Sequence, residues 1–225
     1  PIRENPNVRL HGRFDPAQPD FPMMWTGAGA EMLAAAGTLE VRIQYGYRTL
    51  RPYLSFEVDG LRAQTFSPLP GAHWYAVMLG MDPAKAHRVR ITLETQAFSA
   101  DPDSYVALSA LRTDGTLAPV PARARRVEFI GDSITSGEGM RGQKDFMEWV
   151  PMCFSASDNY TRLTAERLHA DYQVVSQSGW GVLCGWNNDP ATNLPDVYDA
   201  VCLPAAMESA DGTAHGGEKP YAFTF

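Results

Sequence analysis

Residues 127–135 read Val-Glu-Phe-Ile-Gly-Asp-Ser-Ile-Thr, a short apolar run that passes directly into a turn containing a serine. The run Val127 to Ile130 predicts a buried strand, because short apolar runs bounded by turn residues are typical of strands covered on both faces. A second strand is predicted over Tyr172 to Val175. The turn after the first strand is therefore the candidate functional site of the second half of the chain.

Between these strands, helical periodicity runs from about Asn159 to His169. Either Asp158 or Asn159 is expected to cap this helix. Its apolar positions recur at helical spacing and predict the buried face: Tyr160, Leu163, Thr164 and Leu168. Strand, helix and strand in this order indicate a parallel βαβ unit, and hence an α/β domain.

The first half of the chain has a different pattern. Residues 38–45, 53–58 and 87–95 alternate apolar and polar side chains with period two, and Asp59-Gly60 is a hairpin signal. This predicts an all-β sandwich whose strands each cover a core on one side only. Pro119 and Pro121 indicate a linker. We therefore predict two domains, a β-sandwich over residues 1–118 and an α/β domain over residues 119–225.

Charge and composition restrict the partners. The 225 residues carry a formal net charge of −7, which disfavours nucleic acid and anionic membrane surfaces. No apolar run approaches the ~20 residues of a membrane span. We expect a soluble protein whose compartment, bacterial cytoplasm or outside the cell, stays open. The three cysteines form no CxxC pair, so a metal site is not expected, although one disulfide is possible.

The chemistry is expected at Ser133. A residue directly after a strand of an α/β sheet lies at the strand's carboxyl end, where such sheets present functional groups. Gly131 would relieve crowding there, and backbone N–H groups could face an oxyanion. The alternative is a plain capped turn, because Gly, Asp and Ser are common turn residues. Residues 177–181, Gln-Ser-Gly-Trp-Gly, follow the second strand and should lie beside Ser133.

The Gly-Asp-Ser-Ile-Thr block resembles the nucleophile block of SGNH (GDSL-type) hydrolases. With the preceding sandwich, the chain is similar to carbohydrate esterase family 2, which joins a jelly-roll domain to an α/β/α, flavodoxin-like hydrolase domain and removes acetyl groups from plant polysaccharides. The resemblance implies Ser133 as nucleophile and first oxyanion donor. It implies Gly181, in preference to Gly179, as second donor. It implies no cofactor and no metal.

Two blocks of that family have no match here, namely the one that supplies an oxyanion Asn and the one that supplies the catalytic His. Of the five histidines, His215 is the least improbable local base. We expect instead that a further polypeptide segment completes the domain, either a second chain produced by cleavage near residues 211–220 or a missing continuation. A two-stranded parallel sheet alone would leave apolar faces uncovered.

The tryptophans near the motif suggest a carbohydrate substrate. Trp180 is the candidate substrate-binding residue, and Trp149 and Trp186 could either stack on a sugar ring or pack in the core. The leading hypothesis is an esterase acting on acetylated xylan, mannan or their oligosaccharides. The rivals are a lipase or thioesterase of the same superfamily, and a carbohydrate-binding protein with an inactive hydrolase half.

Overall fold

The computed structural model describes residues 1–205 and 216–222 of the chain. The first half consists of β-strands, as the alternating pattern predicted. Their bounds are β1 (Arg9–His11), β2 (Phe21–Pro22), β3 (Gly29–Ala35), β4 (Thr38–Gly46), β5 (Leu54–Val58), β6 (Leu61–Phe66), β7 (Gly71–Leu79), β8 (His87–Leu93), β9 (Tyr105–Thr113) and β10 (Thr116–Ala118).

These strands form two antiparallel sheets. One sheet has the order β1-β3-β8-β5-β6, with β10 also pairing with β3, and the other has the order β2-β9-β4-β7. Apolar side chains of both sheets meet in one core, to which β4 contributes every second residue from Leu39 to Tyr45. The predicted hairpin joins β5 to β6, with positive φ angles at Asp59 (53°) and Gly60 (81°).

One expectation about this region was wrong. The strands β5 and β8 do not cover a core on one side only, because their polar faces are buried as well. Glu57 and Arg90 point away from the apolar core and bind residues of the second half of the chain. The alternating pattern could not reveal this second contact, since its partners are polar and resemble a solvent-facing surface.

The second half contains the predicted parallel unit. Its elements are β11 (Arg125–Gly131), α1 (Ser133–Ser136), α2 (Tyr160–Arg167), β12 (Ala170–Ser176) and α3 (Pro195–Tyr198). The strands β11 and β12 are parallel and in register, with Phe129 opposite Val174. Residues 119–124 connect β10 to β11.

The predicted face of α2 was wrong, because the buried residues are Thr161, Arg162 and Ala165. The side chains expected inside, such as Leu163 and Leu168, are exposed. The helix instead turns Arg162 toward Glu57 of β5, with two bonds of 2.7 Å. Asn159 occupies the N-cap position but forms no side-chain cap bond.

Two further sequence observations can be compared with the structure. Cys153, Cys184 and Cys202 are all free thiols, so the disulfide that the sequence left open is not formed. Among the described residues, no helix has the length and apolarity needed to cross a membrane.

Candidate active site

Ser133 stands where β11 ends and α1 begins. The side chain of Asp132 caps α1 by accepting a hydrogen bond from the N–H of Ile134 at 3.0 Å. Ser133 is the first residue of the helix, and N–H groups of a first helical turn have no partner within the helix. Its backbone N–H therefore has no partner within the helix and lies beside a partly exposed side chain, and its role as an oxyanion donor stays a prediction.

Gly131 makes this turn possible because it lets Thr135 of α1 lie close to the backbone at the end of β11. A Cβ atom at this position would overlap the Oγ1 of Thr135 and lie 2.9 Å from its Cβ. Any side chain there would push α1 away from the end of β11. The expectation that Gly131 relieves crowding beside the serine is confirmed by this contact.

The short helix α1 is stabilised at its far end by side chains from elsewhere. Asn159 donates from Nδ2 to the carbonyls of Ile134 and Thr135, at 3.0 and 2.8 Å. Thr26, from the β-sheet region, donates from Oγ1 to the carbonyl of Ser136 at 3.1 Å. Helices this short are not stable alone, because nucleation is costly. These bonds therefore fix the position of Ser133.

The segment after β12 lies beside the serine turn, as its position in a parallel sheet predicted. The N–H of Gln177 continues the ladder by donating to the carbonyl of Gly131 at 3.2 Å. The following turn brings the indole of Trp186 against Gly179, where an added Cβ atom would lie only 2.7 Å from the indole Cδ1. The N–H of Trp186 donates to the carbonyl of Gly179 at 2.9 Å.

A cavity of about 520 Å³ opens in front of these turns. Both halves of the chain form its wall, which mixes aromatic rings with primary amides and hydroxyls. The lining residues are Leu50, Gln96, Phe98, Ser99 and Ala100 from the first half, and Ser133, Glu138, Trp149, Gln177, Ser178, Gly179, Trp180 and Trp186 from the second. The site therefore lies at the interface between the two halves of the chain.

The structure brings most of the predicted site residues together. Ser133, Trp180 and Gly179 line the cavity, whereas Gly181 is not among its lining residues. The carbonyl of Gly181 accepts from the N–H of Leu194 at 2.9 Å. The oxyanion role of Gly181 stays a prediction.

The three tryptophans of the site differ in their surroundings. Trp186 is 86% exposed, so it does not pack in a core. Trp149 makes edge contacts with Phe98 and Phe154, at centroid distances of 5.8 and 5.6 Å. Trp180 packs against a second apolar cluster that contains Val175 and also borders the cavity. Trp186 therefore offers the largest free ring surface.

No histidine of residues 1–205 lines the cavity. His11 lies buried 3.3 Å from Glu31, and burial lowers its pKa despite that hydrogen bond. His87 pairs through Nδ1 with Asp59 at 2.7 Å, and His73 contacts the carbonyl of Pro70. His215 lies outside the described residues. A histidine base for Ser133 is therefore not found in the part of the chain that the structure describes.

Gln96 is a site residue that the sequence does not indicate, whereas Gln177 belongs to the segment 177–181 that was expected beside Ser133. The Oε1 of Gln96 accepts from both the N–H and the Oγ of Ser178, each at 2.9 Å. The Nε2 of Gln177 donates to the carbonyl of Ala97 at 3.0 Å. The position of Gln177 could be predicted, because it directly follows a parallel strand. Gln96 follows a strand of the other half, and no local motif indicates its role.

Together, a partly exposed serine on a strand-to-helix turn and a mixed polar and aromatic cavity are consistent with the resemblance to SGNH-type hydrolases, whose site lies at the edge of an α/β sheet. No family model matches the chain. In sequence it is 26% identical over 199 residues to cellulase/esterase CelE of Acetivibrio thermocellus, covering 88% of this chain and 24% of that protein. It is 34% identical over 119 residues to an acetylxylan esterase / glucomannan deacetylase of Cellvibrio japonicus, covering 50% of this chain and 31% of that protein.

The fold is also similar to solved structures, which cover most of this chain. An acetyl xylan esterase (Est2A) from the rumen bacterium Butyrivibrio proteoclasticus superposes with a TM-score of 0.93 at 36% identity, covering 99% of this chain and 59% of that one. A family two carbohydrate esterase from Clostridium thermocellum, solved with cellohexaose, gives a TM-score of 0.77 at 25% identity, covering 88% and 59%. These similarities confirm the resemblance to family two carbohydrate esterases. The chain spans less than two thirds of each of these relatives.

Proposed function

We propose that this chain carries the nucleophile of a serine esterase that removes O-acetyl groups from plant polysaccharides or oligosaccharides of the xylan or mannan type. The observation that carries the proposal is the position of Ser133, on a turn fixed by Gly131 and facing a cavity with tryptophans and amides. The relatives named as acetylxylan esterases support the substrate class.

In the proposed mechanism, a base removes the proton of Ser133 Oγ as the oxygen attacks the acetyl carbonyl. The oxyanion that forms is stabilised by the N–H of Ser133 and by a second N–H, proposed to be that of Gly181. Collapse breaks the ester bond, and the sugar hydroxyl leaves with the proton from the base. Water, activated by the same base, then releases acetate from the acyl-enzyme. No cofactor or metal takes part in these steps.

We propose that a further polypeptide segment supplies the base and the oxyanion Asn. Among the described residues, β11 pairs only with β12, which leaves its other edge open. Ile130 near the end of this strand is 52% exposed, and so are Leu163 of α2 (48%) and its C-cap residue Leu168 (39%). A parallel sheet normally buries both faces, so added strands and helices would cover these apolar groups.

We also propose the domain division, with a jelly-roll sandwich over residues 1–118 and part of a flavodoxin-like α/β/α hydrolase domain over residues 119–225. The chain changes sheet between β3 and β4, again between β4 and β5, and again on both sides of β7 and of β9. Repeated crossing between two facing sheets supports a jelly roll.

Acetate release from acetylated xylo- and manno-oligosaccharides tests the proposal. The Ser133→Ala variant should lose nearly all turnover, because no other nucleophile replaces the serine, whereas Thr116→Ala on exposed β10 should keep it. Unchanged acetate release in the Ser133→Ala variant would contradict the proposal. The assay should use the protein together with any segment that accompanies it.

The lipase or thioesterase alternative fits the cavity less well, because a long acyl chain prefers an apolar channel and this wall contains several amides and hydroxyls. The second alternative, a carbohydrate-binding protein with an inactive hydrolase half, has one supporting observation. No histidine of residues 1–205 reaches the cavity. Oligosaccharide binding without acetate release from any acetylated substrate would favour it.

A further inference from the structure

Gln96 has a side-chain orientation that its neighbours determine. Its amide accepts a hydrogen bond from the backbone N–H of Ser178, which can only donate, so the atom at that end must be the oxygen. The Oγ of Ser178 donates to the same oxygen. The NH₂ group therefore lies at the opposite end of the amide plane, because a flip would lose the bond from the Ser178 N–H, which cannot accept.

The NH₂ group of Gln96 has no partner among the described residues, although the residue is only 4% exposed. A neighbouring amide provides a contrast. The Oε1 of Gln177 is fully buried and has no hydrogen-bond partner within the described part of the chain. The Nε2 of Gln96 also has no partner there, but this atom keeps some solvent-accessible surface. Gln96 lines the cavity that contains Ser133. A nearly buried donor of this kind gains from an acceptor that a bound molecule supplies.

From these contacts we infer that Gln96 is a specificity-determining residue that donates from Nε2 to an oxygen of the bound carbohydrate, a hydroxyl or ring oxygen of a neutral sugar. This inference rests on the proposed function. A neutral amide suits a neutral sugar, since it stabilises the oxygen without requiring a charge. The cavity of about 520 Å³ is larger than an acetyl group alone requires, so it has room for the sugar that bears it.

The inference assigns a substrate contact to the β-sheet half of the chain. Gln96 follows β8, on the face that packs against the Ser133 half. The carbonyl of the next residue, Ala97, accepts from Gln177 at 3.0 Å, so the segment is anchored to the strand end beside the nucleophile at two consecutive residues. The donor is thus fixed relative to the serine turn even though it belongs to a different sheet.

The matched test is the Gln96→Glu variant. Glutamate keeps an acceptor oxygen for Ser178 but replaces the NH₂ group by a second oxygen, which cannot donate when ionised. We expect KM for acetylated xylo- or manno-oligosaccharides to rise about ten-fold. With 4-nitrophenyl acetate, which has no sugar, kcat/KM should stay within about two-fold of the unsubstituted protein. Gln64→Glu, the same substitution on the exposed strand β6, serves as the control and should not raise KM for the oligosaccharide.

Two results would overturn the inference: an unchanged KM for the oligosaccharide, or an equal loss with both esters, which would mark a merely structural role. A measurement on the unsubstituted protein covers the case in which the variant does not fold. The ¹⁵N-labelled side-chain amide signal of Gln96 should shift when deacetylated oligosaccharide is added. An unmoved signal while tryptophan indole signals shift would also overturn it. Absence of acetate release by the unsubstituted protein would instead overturn the proposed function, and the binding measurement would still decide the role of Gln96.

Discussion

The sheet that contains β3, β5 and β8 has two buried faces of opposite chemistry. Its inner face, with Met32, Phe56 and Ile91, packs on the four-stranded sheet through apolar contacts. Its outer face carries charged and hydroxyl side chains that bind the Ser133 half. The contacts of this outer interface include Glu57 with Arg162, Arg90 with Tyr172, Ser55 with Ser157, and Glu94 with Ser155 and Ser157.

The contrast between the apolar inner face and the polar outer face explains what determines the geometry of the site. Apolar contacts are non-directional, so the inner interface gives stability but tolerates small shifts. Hydrogen bonds and ion pairs weaken steeply when distance or angle changes, so the outer interface fixes one arrangement of the two halves. The cavity is formed by residues of both halves, and its shape depends on that arrangement.

The largest expected effect comes from breaking the most buried ion pair of the outer interface. Arg162→Leu leaves the carboxylate of Glu57 buried without its bidentate partner, which should cost about 3–5 kcal/mol of unfolding free energy. Urea unfolding measures the loss. The double variant Glu57→Leu/Arg162→Leu should recover most of it, because the buried carboxylate is removed together with its partner and Glu166, which also loses Arg162, is 40% exposed. A single variant as stable as the unsubstituted protein would show that the outer interface contributes little.

A second experiment concerns the bond by which the β-sheet half reaches the nucleophile helix. Thr26→Val keeps the shape of the side chain but leaves the buried carbonyl of Ser136 without its donor, which should cost about 1–3 kcal/mol. Because α1 begins at Ser133, kcat should fall as well. Thr26→Ser restores the hydroxyl and should restore both properties. A Val variant that loses stability but keeps full kcat would show that Thr26 does not position the serine.

The sequence predicted the elements of this molecule better than their contacts. Period-two alternation identified β4, and the apolar run before Gly131 identified β11, because local patterns reflect the geometry of a single strand. The parallel pairing of β11 with β12 followed from strand, helix, strand order. Ser133 and Trp180 reached one cavity for the same topological reason.

The outer interface could not be predicted in this way. Glu57 and Arg90 look like solvent-facing residues of alternating strands, and only the fold shows that they bind Arg162 and Tyr172 of the other half. The wrong prediction for the buried face of α2 has the same cause, because sequence periodicity does not reveal ion pairs between distant residues. Apolar periodicity indicated that Leu163 is buried, whereas the ion pair with Glu57 buries Arg162. Gln96 escaped notice because it belongs to one half and acts in the other.

A smaller effect is expected at the rim of the cavity, where two tryptophans differ in packing. Trp186→Ala should raise KM for acetylated oligosaccharides several-fold with little change in stability, because this ring is exposed and free to stack. Trp149→Ala is the matched comparison. It should lower the unfolding free energy, since Trp149 packs on Phe98 and Phe154. Equal changes of KM and of unfolding free energy in both variants would contradict the prediction that Trp186 binds substrate and Trp149 stabilises the fold.

The smallest effect is a pH dependence at the edge of the outer interface. The hydrogen bonds from Arg62 lower the pKa of Asp158 from 3.8 to about 2, more than burial raises it. Since the folded pKa lies below the unfolded one, this carboxylate stabilises the fold above about pH 4, and the contribution is lost as the pH falls toward 2. The side chain is 45% exposed, so solvent screening limits the contribution to less than about 1 kcal/mol. The difference in unfolding free energy between the unsubstituted protein and Asp158→Asn should therefore shrink between pH 4 and pH 2 in urea titrations. A difference that grows on acidification would mean that the contact with Arg62 does not stabilise the charged form.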